Sequence, residues 1–262
     1  MIKLLVKINR LKNTKMKRLF EDKVALVTGA GSGIGQAAAF SYAANGAKVI
    51  VSDIKDNDTV AKIIAEGGEA YFVKTDVSIA LECERLIEET IHKYGKIDIA
   101  FNNAGILGET NTLADMSNKG FEKVISVNLN GVFYCMKYEI AAMLKQGSGV
   151  IVNTASILGV VGFASFSGYV AAKHGVVGLT QNASFEYSSK GIRINCVAPG
   201  FINTPLLSTM NAKSKEELSL KHPIGRLGEP KEVAALVMWL SSDEASYATG
   251  GYYPIDGGYL TS

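Results

Sequence analysis

The chain has 262 residues, 47% of them hydrophobic and 20% charged, enough to bury one large α/β core. Residues 1–20 hold seven basic groups and no acid, which leaves 20 basic against 25 acidic residues elsewhere, a formal −5 behind the net +2. Nothing approaches the roughly 18 uninterrupted apolar residues of a membrane span, and the scattered cysteines (Cys83, Cys135, Cys196) and histidines lack disulfide or metal-ligand spacing.

A reducing, cytoplasmic compartment is therefore expected, without metal, and an acidic body is not expected to bind nucleic acid. The basic leader, residues 1–20, has no apolar run of about 7–15 residues with a small-residue cleavage site. It is expected to be a disordered extension, and Met16 could itself begin the domain. No linker, repeat or low-complexity stretch divides the remainder, which predicts a single domain over 21–262.

Along that domain, short β-branched runs alternate with longer helical patterns, the signature of βαβ units and a parallel sheet. Strands are predicted at 24–28, 48–52, 70–74, 97–101, 149–154, 192–197 and 253–255. Helices are predicted at 33–45, 57–66, 79–94, 119–145, 167–188 and 230–241. Val150, Ile151 and Val152 are apolar in succession, as in a strand covered on both faces. The expected fold is a Rossmann-like, doubly wound, seven-stranded parallel sheet with helices on both faces, binding ligand beyond the strands' carboxyl ends.

The motifs fall at that edge. Gly29, Gly33 and Gly35 fit T-G-x-x-x-G-x-G between a strand and an alanine-rich helix, with Ser32 and Ile34 in the turn. Glycines there let backbone approach a pyrophosphate at a helix N-terminus, although such a turn can also serve packing alone. Asp53 ends the second strand, where an acid accepts hydrogen bonds from adenosine ribose hydroxyls and repels a 2′-phosphate. The expected cofactor is NAD(H) in preference to NADP(H), with capping of the next turn as the other role for Asp53. Asp76 and Val77 after the third strand, and Asn102, Asn103, Ala104 and Gly105 after the fourth, extend the edge.

Ser156 follows the fifth strand, and Tyr169 and Lys173 stand four apart on a helix, hence on one face. A free phenol has a pKa near 10 and needs about 3–4 kcal/mol to fall by two to three units. One positive charge at about 4 Å supplies on the order of 4 kcal/mol at an effective dielectric of about 20. Lys173 is thus expected to be nearly sufficient to make Tyr169 a base. A tyrosine–lysine pair alone would be ordinary packing, and a lone serine an ordinary loop residue.

Jointly, Thr28 to Gly35, Asn102 to Gly105, Ser156, Tyr169-x-x-x-Lys173 and Pro199-Gly200 resemble the motifs of the classical short-chain dehydrogenase/reductase (SDR) family, over roughly residues 20–262. The resemblance implies a catalytic group of Asn128, Ser156, Tyr169 and Lys173, adenine contacts at Asp76 and Val77, carboxamide contacts at Ile202 and Thr204, and a homotetramer. It implies that Tyr169 exchanges the alcohol proton and that Ser156 holds the substrate oxygen. Lys173 would also reach the nicotinamide ribose, and Asn128 would hold a proton-relaying water. Asn128 could instead be a buried, satisfied amide.

Candidate substrate-pocket residues are apolar: Leu158, Phe163, Phe201 and Leu207, with Ile106, Leu107, Ile157, Phe166, Leu206 and Met210. Core or subunit packing would explain each equally well. With no cation among them, a neutral secondary alcohol or ketone, such as a sugar or cyclic diol, is expected. The polar stretch 205–223 is expected to be a mobile lid. The alternatives are an NADPH-dependent 3-oxoacyl-[acyl-carrier-protein] reductase and a non-catalytic dinucleotide-binding regulator.

Overall fold

The computed structural model describes residues 18–208 and 210–261. Seven parallel strands, β1 (Val24–Thr28), β2 (Lys48–Asp53), β3 (Glu69–Lys74), β4 (Ile99–Asn102), β5 (Gly149–Thr154), β6 (Ile192–Pro199) and β7 (Tyr252–Ile255), lie in the order β3-β2-β1-β4-β5-β6-β7. The helices are α1 (Gly33–Ala44), α2 (Thr59–Ala65), α3 (Ala80–Tyr94), α4 (Asn118–Ile125), α5 (Gly131–Gln146), α6 (Ser167–Tyr187), α7 (Ala212–Leu220) and α8 (Pro230–Ser241).

Strand parity explains the two layers. Ala25 and Val27 of β1, Val49 and Val51 of β2 and Phe101 of β4 belong to one buried cluster with α1 and α8. Leu26, Ile50 and Ala100, one position out of phase, belong to a second cluster with α3, α5 and α6. Apolar side chains at both parities make a strand stable only between two helical layers, because each face must be removed from water. On the first face, α1 and α8 are joined by the buried hydroxyls of Tyr42 and Ser241, 2.7 Å apart.

The chain winds outward from β1 to β3 and returns to β4 on the other side of β1. That reversal opens a crevice at the carboxyl ends of β1 and β4.

Three stretches show detail beyond the sequence reading. The helix predicted over 119–145 is α4 and α5 joined by a π-helical turn, Ser126–Asn130, which contains Asn128. The polar stretch 205–223 contains a 3-10 turn, Pro205–Leu207, and α7, whose first turn is capped by the Asn211 side chain accepting the Ser214 N–H at 2.9 Å. Only Leu218 of α7 is buried, so no apolar stripe marked it as a helix. Phe20, assigned to the leader, is 2% exposed and packs edge-on against Tyr42, so the fold includes it. Residues 1–17 of the predicted extension lie outside the described residues.

Candidate active site

The carboxyl-edge crevice is a cleft of about 450 Å³. At one end Gly29, Ser32, Gly33 and Ile34 form its wall, at the start of α1. Ser32, the residue before α1, makes no side-chain cap, and the helix's first turn holds no acid. The N–H groups and partial positive charge of that terminus therefore face the cleft without an internal anion to satisfy them, which suits a phosphate.

Gly29 has φ +64°, and a Cβ there would stand 2.8 Å from Ala104 Cα. Gly35 is not on the cleft wall; a Cβ on it would meet Gly29 O at 2.2 Å, so its role is to let α1 press against the turn. Gly35→Ala is accordingly expected to push the turn out of place and weaken dinucleotide binding by about tenfold or more, as small misplacements do at a reacting site. Fluorescence titration with NADH measures it.

Hydrogen bonds hold this end rigid. The Thr28 hydroxyl accepts the N–H groups of Asn103 (3.0 Å) and Ala104 (3.2 Å), while Asn103 Nδ2 donates to the Thr28 carbonyl at 3.1 Å. Asp53 lines the cleft at the tip of β2, and its carboxylate accepts the N–H groups of Gly31 (2.9 Å), Ile54 (2.7 Å) and Lys55 (3.3 Å). Asp53 thus ties down the following turn and also lines the cleft. Asp76, held below the usual carboxylate range chiefly by the Ser78 hydroxyl, also lines the cleft, as do Val77, Asn103, Ala104 and Gly105.

At the centre stand Ser156, Tyr169 and Lys173. Tyr169 lies in the first turn of α6 and Lys173 one turn on, and the Lys173 Nζ sits 5.5 Å from the Tyr169 ring centroid. Lys173 is 2% exposed and donates to the Thr154 carbonyl at 2.6 Å. The Ser156 hydroxyl is close enough to Tyr169 to favour its ionised form. Ser156 is fixed by the Leu158 N–H on its Oγ (3.1 Å) and the Tyr252 hydroxyl on its carbonyl (2.9 Å).

The electrostatics differ from expectation. Burial pushes the Tyr169 phenol up to about 12, offset in part by Ser156, and pushes Lys173 down to about 8. An ammonium beside the ring favours the phenolate and so works against that desolvation.

Asn128 is fully buried and off the cleft wall, and its amide clamps one residue of the β4–α4 connection, accepting the Ile106 N–H and donating to the Ile106 carbonyl, each at 2.8 Å. Those bonds are what a buried, satisfied amide makes.

The far end is apolar. Leu158, Phe163, Phe201 and Leu207 line it together with Ile106, Leu107, Ile157, Phe166, Leu206 and Met210. Phe163 packs against Phe166 and Phe201 with centroids 5.3 and 5.6 Å apart. Pro199, Gly200, Ile202 and Thr204 also line the cleft, with Thr204 against Gly33 of the glycine turn. Sequence reading missed Thr75, Thr154 and Ala155, which follow or end strands and were open to the same edge argument, and Lys123 of α4, which nothing in the sequence marks.

A family model described as enoyl-(acyl carrier protein) reductase matches residues 29–260. The chain belongs to the short-chain dehydrogenase/reductase family. It is 49% identical over 249 residues to a cyclohexanol dehydrogenase of Acinetobacter sp. (strain SE19), covering 94% of this chain and 98% of that protein. It is 41% identical over 244 residues to a 3-oxoacyl-[acyl-carrier-protein] reductase of Thermotoga maritima, covering 92% and 98%. The solved structure of levodione reductase superposes with a TM-score of 0.90 at 42% identity, over 93% of this chain and 99% of that one. Members of the SDR family are oxidoreductases that bind a nicotinamide dinucleotide, and the glycine turn, with its uncapped helix and no room for Cβ atoms, fits such a group.

Proposed function

We propose that this protein is an NAD(H)-dependent dehydrogenase of neutral cyclic secondary alcohols, working in either direction with the corresponding ketone. The observation that carries the reading is the Ser156–Tyr169–Lys173 group, with Ser156 and Lys173 buried, in one cleft with the glycine turn and a wall of aromatic and aliphatic side chains. The names of the cyclohexanol and levodione relatives support a ring substrate.

The dinucleotide would be held by Gly29, Ser32, Gly33 and Ile34 at the phosphates, by Asp53, Asp76 and Val77 at the adenosine, and by Asn103, Ala104, Gly105, Tyr169, Lys173, Pro199, Gly200, Ile202 and Thr204 toward the nicotinamide. When bound, it supplies the hydride acceptor or donor. The chain's own residues handle the proton. Ser156 donates a hydrogen bond to the substrate oxygen, worth most where water is excluded. In reduction Tyr169, neutral at physiological pH, gives its proton to that oxygen and is reprotonated from Lys173; in oxidation it hands its own hydroxyl proton to the neutral Lys173 amine as it takes the proton of the alcohol. Leu158, Phe163, Phe201 and Leu207 bury the ring.

Asp53 supports NAD(H), since its anion opposes a 2′-phosphate. The expected kcat/KM favours NAD over NADP by about tenfold or more, and Asp53→Ala narrows that ratio by removing the repulsion. The Thermotoga relative favours a second reading, an acyl-carrier-linked reductase. Measuring kcat/KM for cyclohexanol, cyclohexanone and an acetoacetyl thioester with both cofactors separates them. Faster turnover of the thioester with NADPH would overturn the first reading.

A further inference from the structure

Beneath the cleft, Glu139 of α5 is completely buried, far from solvent and outside the proposed proton path. Its Oε2 accepts a hydrogen bond from Asn102 Nδ2 at 2.9 Å, and the same Nδ2 donates to Asn153 Oδ1 at 3.1 Å. Two atoms of this pair, Glu139 Oε1 and Asn102 Oδ1, are buried without a partner. As carboxylate and amide oxygens both only accept, so neither satisfies the other.

The amide of Asn102 cannot be turned round to relieve this. Thr180 donates its hydroxyl hydrogen to the Val176 carbonyl at 2.8 Å and so accepts from Asn153 Nδ2 at 2.9 Å. Asn153 therefore presents Oδ1 to Asn102, which must answer with Nδ2. A carbonyl that only accepts thus sets the direction of the whole chain from α6 through β5 to β4. At its end one hydrogen is missing, and a single proton on Glu139 Oε1 supplies it.

We propose that Glu139 is a neutral carboxylic acid paired with the Asn102 amide through two hydrogen bonds, Nδ2–H to Oε2 and Oε1–H to Oδ1, and that in this form it positions the Asn102–Gly105 turn. Asn102 ends β4, pairs in register with Asn153 of β5, and precedes the residues tied to Thr28 at the cleft wall. Burial also pushes the Glu139 carboxyl up to about 7. The group facing it from β4 is the neutral Asn102, and the chain behind that amide, Asn153 of β5 and Thr180 of α6, is neutral as well. The titratable neighbour is Cys135, a turn earlier on α5 and itself 3.7 Å from Cys83 of α3. Among the described residues, no salt bridge includes Glu139.

The charge state is independent of what the enzyme reduces; only its effect on the cleft rests on the dinucleotide reading. Glu139→Gln is the test, because its amide reproduces both hydrogen bonds of the neutral acid without a titratable proton. Native Glu139 holds a proton that the unfolded chain has already released, so wild-type stability falls as pH rises from the ordinary 4.5 to about 7. In urea unfolding, the ratio of wild-type to Glu139→Gln unfolding constants should grow about tenfold per pH unit across that window. Infrared difference spectra at pH 6 should show a protonated-carboxyl band in wild type that is missing from the variant. Should the variant not fold, that band in wild-type protein is decisive by itself. Between pH 6 and 8.5 the wild-type NADH dissociation constant should rise relative to the variant's by about fivefold or more. Parallel unfolding profiles, or no such band, would show an ionised Glu139 and overturn the pairing; a constant ratio of NADH affinities would overturn its positioning role.

Discussion

Tyr169→Phe is expected to lower kcat by two to four orders of magnitude, the range of a lost general acid–base group, while the NADH dissociation constant stays within about threefold. The substitution removes one hydroxyl and keeps the ring against Lys173, so shape and packing are preserved. What disappears is the hydroxyl beside Ser156, the proposed donor of a proton to the substrate oxygen. Because the phenol is pushed up to about 12, the protonated form dominates at neutral pH. Reduction uses that form directly. Steady-state rates with cyclohexanone and NADH check it, and comparable activity in the variant would remove Tyr169 from the chemistry.

The second large effect concerns Lys173 and carries a pH signature. Oxidation needs a site for the departing proton, and the first group of the pair to lose its own is Lys173, near pH 8 rather than 12. The sign follows from which form is required. Oxidation needs the deprotonated pair, so its kcat/KM should rise about tenfold per pH unit below about 8 and level above. Reduction needs the protonated pair and should fall above the same point.

Lys173→Met keeps the length of the side chain and removes both the amine and its bond to the Thr154 carbonyl. The oxidation inflection should then move toward the tyrosine's own high value, costing at least about a hundredfold at pH 8. A wild-type-like profile in the variant would show that the lysine does not receive the proton.

The strands were legible because their chemistry is local. Val24–Thr28 and Gly149–Thr154 fall where predicted, since short runs rich in valine and isoleucine have few other ways to be buried. Ser156, Tyr169, Lys173 and the glycine turn were legible for the same reason: each is a short spacing on one element, and the parallel topology brings their ends to one edge. The missing parts involve partners that carry no signature in the chain. Thr154 holds Lys173 through a backbone carbonyl, which any residue would supply. The π turn around Asn128 depends on the Ile106 backbone, twenty-two residues away, and α7 forms from a polar run with little to bury. Burial's effect on Tyr169 and Lys173 was also invisible, because four-residue spacing gives proximity and says nothing about how much water is excluded.

The most direct measurement is the fate of hydrogen at the carbinol carbon. Incubation with NAD and cyclohexanol deuterated at that carbon should place one deuterium on C4 of the nicotinamide, with none lost to water and a slowed rate. Recovery of unlabelled NADH, or failure of every cyclic alcohol and ketone to turn over in a protein that binds NADH, would contradict hydride transfer assisted by Tyr169.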